Sequence, residues 1–152
     1  MDFRPIGVTV CRKGLRAFKE RALKSDVEVL AYLAGEVYFR KGKIERIVIR
    51  EFLYPEVFER QTPEVVKISG EEFVRLAEEA EPLQIIGTIH SHPYGEQEPS
   101  MELGPSCTDI EGAAQDKELV YGVYSIWKNP GKRARTRLFW ATGSPPLTLE
   151  IR

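Results

Sequence analysis

The first third of the chain alternates between strand-like and helix-like patterns of apolar residues. Residues 6–11 form a short segment rich in β-branched side chains, which predicts a strand. Residues 13–25 predict a helix, because apolar side chains recur there at helical spacing: Leu15, Phe18, Ala22 and Leu23. Two apolar segments, 27–39 and 44–53, flank a turn at residues 41–43. This arrangement is typical of a β-hairpin.

The middle of the chain mixes irregular and regular segments. Residues 54–63 lack a clean period and contain two prolines, so we expect a mobile loop. Residues 65–68 follow as a short strand. Ser69 then opens a helix, with Glu72 three residues later in the pattern of a capping box. Residues 83–90 form a further apolar strand.

The last third predicts a long loop, one helix and three strands. The loop runs to Pro105, and the other elements are a helix at 106–116 and strands at 120–128, 133–142 and 147–151. The resulting order, βαββ(β)αβαβββ, implies one mixed central β-sheet flanked by helices, an α/β (α+β) fold. We expect residues 1–152 to form a single domain.

Composition and charge exclude several classes of protein. The chain has 152 residues, 42% of them hydrophobic and 30% charged, which is typical of a globular domain. The net charge of −1 gives no general attraction for nucleic acid or for anionic lipid. The sequence has no apolar run of the ~20 residues needed to cross a bilayer, and the N-terminus has charges where a signal peptide is apolar. We therefore expect a cytoplasmic protein with neither a membrane nor a nucleic acid as its partner.

The low content of asparagine and glutamine suggests a thermophilic source. Asn129 is the single asparagine, and the chain has four glutamines among many Glu, Lys and Arg residues. In such an organism an intracellular disulfide between Cys11 and Cys107 is not excluded, and the sequence leaves this pairing open.

The two histidines of the chain, His90 and His92, suggest a metal site. Residues two apart on a strand point to the same face, about 6.6 Å apart, so both imidazoles can bind one Zn²⁺. Pro93 follows them and is expected to end the strand, which would place the pair at the rim of the sheet. An isolated His-x-His is more often a plain surface pair, so the neighbouring motifs decide the interpretation.

Ser106 and Asp109 supply the first such motif. Asp109 offers an oxygen as a third ligand and leaves a fourth position open, as in catalytic zinc sites. Ser-x-x-Asp is also a helix capping box, and the two interpretations are compatible.

Glu28 is the candidate general base. It lies within an apolar run, where a carboxylate is paired, protonated or functional. If its strand neighbours the strand of His90, Glu28 can accept a proton beside the metal. The alternatives are a buried ion pair and simple exposure at an edge.

Taken together, these blocks resemble the JAMM/MPN+ zinc metalloproteases, in particular archaeal, desampylase-like members that act on ubiquitin-like modifiers. The resemblance rests on three blocks in order: Glu28-x-x-Ala31-x-Leu33-x-Gly35, His90-Ser91-His92-Pro93 and Pro105-Ser106-x-x-Asp109. It implies an MPN domain with a cytidine-deaminase-like fold, and a protease that cleaves after the C-terminal Gly-Gly of a ubiquitin-like protein. It also implies one zinc ion per chain.

The resemblance also assigns roles to single residues. His90, His92 and Asp109 would bind the zinc ion, Glu28 would be the general base and then the acid, and Ser106 would donate to the oxyanion. By the same resemblance, the loop at 54–63 would correspond to an insertion that holds the modifier's tail in this family.

The chain departs from the family pattern after the second histidine. Thirteen residues separate His92 from Ser106, more than is usual, which indicates an insertion. Ser100 stands at the usual spacing, but the partner position is then Leu103, which cannot bind zinc. Three carboxylates in the insertion are rival ligands: Glu96, Glu98 and Glu102.

Other functions remain as alternatives. Cys107 could act as a thiol nucleophile with a histidine, although a buried or disulfide-bonded cysteine is preferred. A zinc deaminase would need a Cys-x-x-Cys pair, which the chain lacks. A catalytically inactive MPN scaffold that only binds other proteins would not need the zinc motif that this chain retains. A basic strand at 133–137 could contact nucleic acid, but it equally suits an edge that resists strand pairing. The sequence leaves open the identity of the modifier and the oligomeric state, a homodimer included.

Overall fold

The computed structural model describes residues 6–62, 66–95, 119–127, 133–141 and 149–151. Residues 96–105 of the predicted loop and the predicted helix at 106–116 lie outside the described residues. The elements are, in chain order, β1 (Ile6–Val10), α1 (Arg12–Leu23), β2 (Leu30–Arg40), β3 (Lys43–Leu53), β4 (Arg60–Gln61), β5 (Val66–Lys67), α2 (Gly70–Ala80), β6 (Gln84–Gly95), β7 (Val120–Trp127), β8 (Arg135–Ala141) and β9 (Leu149–Ile151).

Seven strands form one mixed sheet in the order β8-β7-β6-β2-β3-β1-β9. The pairs β2–β3, β2–β6 and β7–β8 are antiparallel, whereas β1–β3, β1–β9 and β6–β7 are parallel. The short strands β4 and β5 pair separately. The predicted α+β fold with a mixed central sheet is therefore confirmed.

The β2–β3 hairpin forms as predicted, and the geometry of its turn accounts for the glycine at position 42. Lys41 and Gly42 both have positive φ angles, 52° and 75°. Two such residues are typical of the type I′ turn, whose twist matches that of the flanking strands.

Two hydrophobic cores lie on opposite faces of the sheet. On one face, Phe18 and Ala22 of α1 pack in a cluster that includes Val8, Val29, Ala31, Leu33, Ile47 and Ile89. On the other face, Leu76 and Ala80 of α2 pack in a second cluster that includes Tyr32, Ala34, Leu53 and Ile85. Because successive side chains of a strand point to opposite faces, β2 contributes to both cores.

Two glycines allow neighbouring strands in the middle of the sheet to approach closely at the backbone. A Cβ atom at Gly35 would lie 1.8 Å from the carbonyl oxygen of Val48, and one at Gly87 would lie 1.7 Å from that of Val120. The β2–β3 register shifts between Ala34 and Gly35, and the β2–β6 register shifts where Leu33 pairs with Gly87. Only glycine permits such close backbone approach.

Two sequence predictions need correction. Strand β6 continues through Pro93 to Gly95. Its pairing with β7 shifts register after His92 and resumes at Gly95. Pro93 lies within this irregular step, where the backbone N–H that proline lacks is not needed for the ladder. The segment 54–63 contains a two-residue strand, β4, where an irregular loop was expected.

The second helix begins at the predicted residue. The Ser69 hydroxyl accepts a hydrogen bond from the Glu72 amide. The Glu72 carboxylate, which a capping box would turn back to Ser69, accepts from the amides of Glu56 and Val57 and pairs with Arg75. Glu72 thereby fixes the segment that follows β3 against α2.

Candidate metal centre

The pairing of β2 with β6 brings the two halves of the predicted site together. Leu30 lies opposite His90, and continuing this antiparallel register by two residues places Glu28 opposite His92. Residues opposite each other, and residues two apart, share a face of the sheet. Glu28, His90 and His92 therefore converge on the face that carries α2.

The three side chains form a compact cluster of metal-ligating atoms. The Nε2 atoms of His90 and His92 lie 3.2 Å apart. The Glu28 Oε1 atom lies 4.0 Å from the first of these nitrogens and 3.9 Å from the second. All three atoms lie within 4.8 Å of one another, so this cluster could bind one metal ion.

These distances fit a zinc ion held by the imidazoles. Two nitrogens bonded to one tetrahedral zinc at about 2.0–2.1 Å lie about 3.3–3.4 Å apart, close to the spacing of the two rings. The carboxylate oxygen lies farther from both nitrogens than two ligands of one such ion would, and it suits a group that faces the open position.

Burial differs across the cluster. Glu28 is only 4% exposed, while the side chains of His90 and His92 are 14% and 38% exposed. Access to the cluster is therefore from the side of His92. A carboxylate as buried as Glu28 needs polar partners, and its Oε1 atom lies 3.9–4.0 Å from the two imidazole nitrogens.

Backbone contacts hold the Glu28 segment on both sides. The Glu28 amide donates to the carbonyl oxygen of Thr62 (2.9 Å), and the Gln61 side-chain amide donates to the carbonyl oxygen of Glu28 (3.1 Å). On the β6 side, Val29 and Ser91 exchange two hydrogen bonds of 2.9 Å each. The contacts of Gln61, Thr62 and Ser91 could not be predicted from the sequence, because an uncharged side chain in an irregular segment or between two histidines has no distinctive pattern.

A small cleft of about 190 Å³ borders this segment. Its lining residues are Arg21, Ser25, Val29, Leu30, Tyr54, Pro55, Phe58 and Gln61. The Arg21 guanidinium lies over the Tyr54 ring, 3.7 Å from its centroid. Burial raises the pKa of Tyr54, and the charge of Arg21 opposes that rise. A larger open groove of about 730 Å³, between α2 and the start of β6, shares no residue with the cluster.

The structure brings together three of the five predicted site residues. Glu28, His90 and His92 converge as expected, whereas Ser106 and Asp109 lie outside the described residues, as do Cys107 and the rival ligands of the insertion. Among the described residues, neither helix has the length and apolar character needed to cross a membrane.

Comparison with solved structures supports the fold. The solution structure of protein DSY2949 from Desulfitobacterium hafniense matches with a TM-score of 0.56 and 15% sequence identity, covering 95% of this chain and 92% of that chain. This likeness shows a shared fold and carries no information on activity. A search of curated proteins gives no match.

A family comparison identifies the domain. Residues 12–140, most of the chain, match the Prok-JAB family, described as prokaryotic homologues of the JAB domain. The matched segment contains the whole Glu28, His90 and His92 cluster. The chain thus belongs to the prokaryotic JAB-domain family.

Proposed function

We propose that this protein is a zinc-dependent isopeptidase that hydrolyses the bond after the C-terminal Gly-Gly of a ubiquitin-like modifier. The observation that carries the proposal is the buried Glu28 carboxylate beside two imidazole nitrogens whose spacing suits one zinc ion. Membership in the JAB-domain family supports the same interpretation.

His90 and His92 would hold the ion, with Asp109 as the third ligand. A zinc ion in such a site supplies a Lewis acid and lowers the pKa of water at its open position toward ~7. The resemblance to JAMM/MPN+ proteases is the reason for choosing Asp109 over the carboxylates at 96, 98 and 102.

Glu28 would move the proton during hydrolysis. Its carboxylate accepts a proton from the attacking water and then delivers it to the departing amine, so that no covalent bond to the protein is formed. The Ser106 hydroxyl would donate a hydrogen bond to the oxygen of the scissile carbonyl as that oxygen gains negative charge. One well-aimed donor of this kind contributes about 3–4 kcal/mol.

The decisive experiment is cleavage of a ubiquitin-like fusion before and after chelation, followed by zinc add-back. We expect one zinc ion per chain, loss of cleavage with the chelator, and recovery with zinc. A chain that purifies without metal and cleaves no fusion would instead fit an inactive MPN-type scaffold. Cleavage that resists the chelator but is abolished by thiol alkylation would indicate a cysteine hydrolase.

A further inference from the structure

The ladder between β2 and β6 changes character at one residue pair. Leu30 and His90 form the last pair of the regular ladder. At the next pair, the Ser91 amide donates to the carbonyl oxygen of Val29 (2.9 Å), as in an ordinary antiparallel ladder. The Val29 amide, however, donates to the hydroxyl oxygen of Ser91 (2.9 Å). A side chain thus takes the place of a backbone acceptor.

The Val29 amide depends on this hydroxyl because the pair is buried. Ser91 is fully buried and Val29 is 7% exposed. Ser91 points to the face opposite His90 and His92, where Val29 and Ile89 belong to the α1 core. Water cannot readily replace the hydroxyl there, and a buried amide that loses its acceptor is strongly unfavourable.

The hydrogen bond joins the two backbone units that carry the metal-ligating cluster. Val29 directly follows Glu28, and Ser91 lies between His90 and His92. On its other side the Glu28 backbone is held by Gln61 and Thr62. A change at position 91 therefore acts on the distance between the Glu28 carboxylate and the imidazoles.

We infer that Ser91 is a positioning residue, whose buried hydroxyl holds Val29 and thereby keeps the Glu28 carboxylate against His90 and His92. Insofar as it concerns turnover, this inference rests on the proposed function. Alanine at position 91 would leave the Val29 amide without its acceptor, and the Glu28 segment would shift to find another. Threonine would retain the hydroxyl and suits a strand.

The test compares Ser91→Ala with Ser91→Thr and with the control Ile47→Val. Ile47 is fully buried in the same core but lies on β3, so the control lowers stability without touching the Val29 contact. The measurements are the unfolding midpoint, Co²⁺ affinity from its visible absorption, kcat and KM on a modifier fusion, and hydrogen exchange at the Glu28 and Val29 amides.

For Ser91→Ala we expect kcat or Co²⁺ affinity to fall about 10–100-fold with little change in KM, as for other groups that orient a metal site. Ser91→Thr should stay close to wild type. Ile47→Val should lower the unfolding midpoint and leave kcat and Co²⁺ affinity intact. Retained kcat and affinity in Ser91→Ala, or equal losses in Ile47→Val, would overturn the inference.

Hydrogen exchange separates this inference from the proposed function. If the wild-type protein neither binds Co²⁺ nor cleaves a fusion, the proposed function fails, and exchange alone decides the role of Ser91. Exchange at Val29 and Glu28 that speeds up more in Ser91→Ala than its loss of global stability accounts for, with Ile47→Val as the reference for that loss, supports the positioning role. Unchanged exchange in Ser91→Ala contradicts it.

Discussion

Glu28 and His92 face each other across the two central strands, with Oε1 of Glu28 3.9 Å from Nε2 of His92. The register of β2 and β6 produces this approach between residues far apart in the sequence. The carboxylate is buried and the imidazole is partly open to solvent. A buried carboxylate next to a more accessible imidazole is compatible with the proposed metal-assisted hydrolysis.

Replacement of Glu28 by glutamine should abolish turnover without removing the metal. Glutamine has nearly the same shape but cannot accept the proton, so we expect kcat to fall by about 10²–10⁴. Zinc content and the unfolding midpoint should stay near the wild-type values. The measurement is fusion cleavage alongside metal analysis, and a Glu28→Gln protein with wild-type kcat would show that Glu28 is not the base.

Replacement of His92 by alanine should remove the metal. His92 is the more exposed of the two imidazoles, so its loss should perturb packing little. We expect the zinc content per chain to fall from one to near zero, and cleavage to fall with it. If His92→Ala still holds one zinc ion per chain, other residues bind the metal.

Acid should weaken the contact between α2 and residues 56–57. The Arg75 guanidinium, together with the amides of Val57 and Glu56, lowers the pKa of Glu72 from 4.5 to about 2, and desolvation opposes this shift only in part. Because the folded-state pKa is depressed, the stabilisation is present above about pH 4.5 and is lost as the pH falls toward 2.

The measurement is the unfolding midpoint of wild type and Glu72→Gln at several pH values. The wild-type protein should be the more stable at pH 7, and the difference should shrink between pH 4.5 and 2. A difference that does not change over this range would assign the stabilising role to a group other than the Glu72 carboxylate.

Alanine at Gly87 should disrupt the centre of the sheet. The added Cβ would overlap the carbonyl oxygen of Val120, so β6 and β7 would have to separate. We expect a loss of about 1–3 kcal/mol or more in the free energy of unfolding. Gly70→Ala is the matched control, because open space surrounds Gly70 and its φ angle is not positive, so alanine should be neutral or stabilise by up to about 1 kcal/mol. Chemical denaturation of both variants measures the difference, and equal stabilities would contradict the steric argument.

Local patterns were sufficient to predict most of the described elements and the cluster of Glu28, His90 and His92. The apolar segments 27–39 and 44–53 and the turn at 41–43 between them predicted the hairpin. The His-x-His pair and the carboxylate within an apolar run predicted a cluster, since buried ionisable groups need partners.

Features that depend on distant segments could not be predicted from the sequence. Nothing local indicates that β6 and β7 pair in parallel, or that this pairing resumes beyond Pro93. The same holds for the Glu72 carboxylate, which was expected to cap its own helix and is bound by amides of residues 56–57. Such partners depend on packing and not on periodicity.

The order of the strands determines how the molecule comes apart on heating. Strands β2 and β6 are adjacent in the middle of the sheet, and β8 and β9 are its two edge strands. Edge strands tend to fray first, whereas the middle opens only with global unfolding. Early melting of either edge strand would therefore leave Glu28 and the two imidazoles in register. The cluster should be lost on heating only when the whole sheet unfolds.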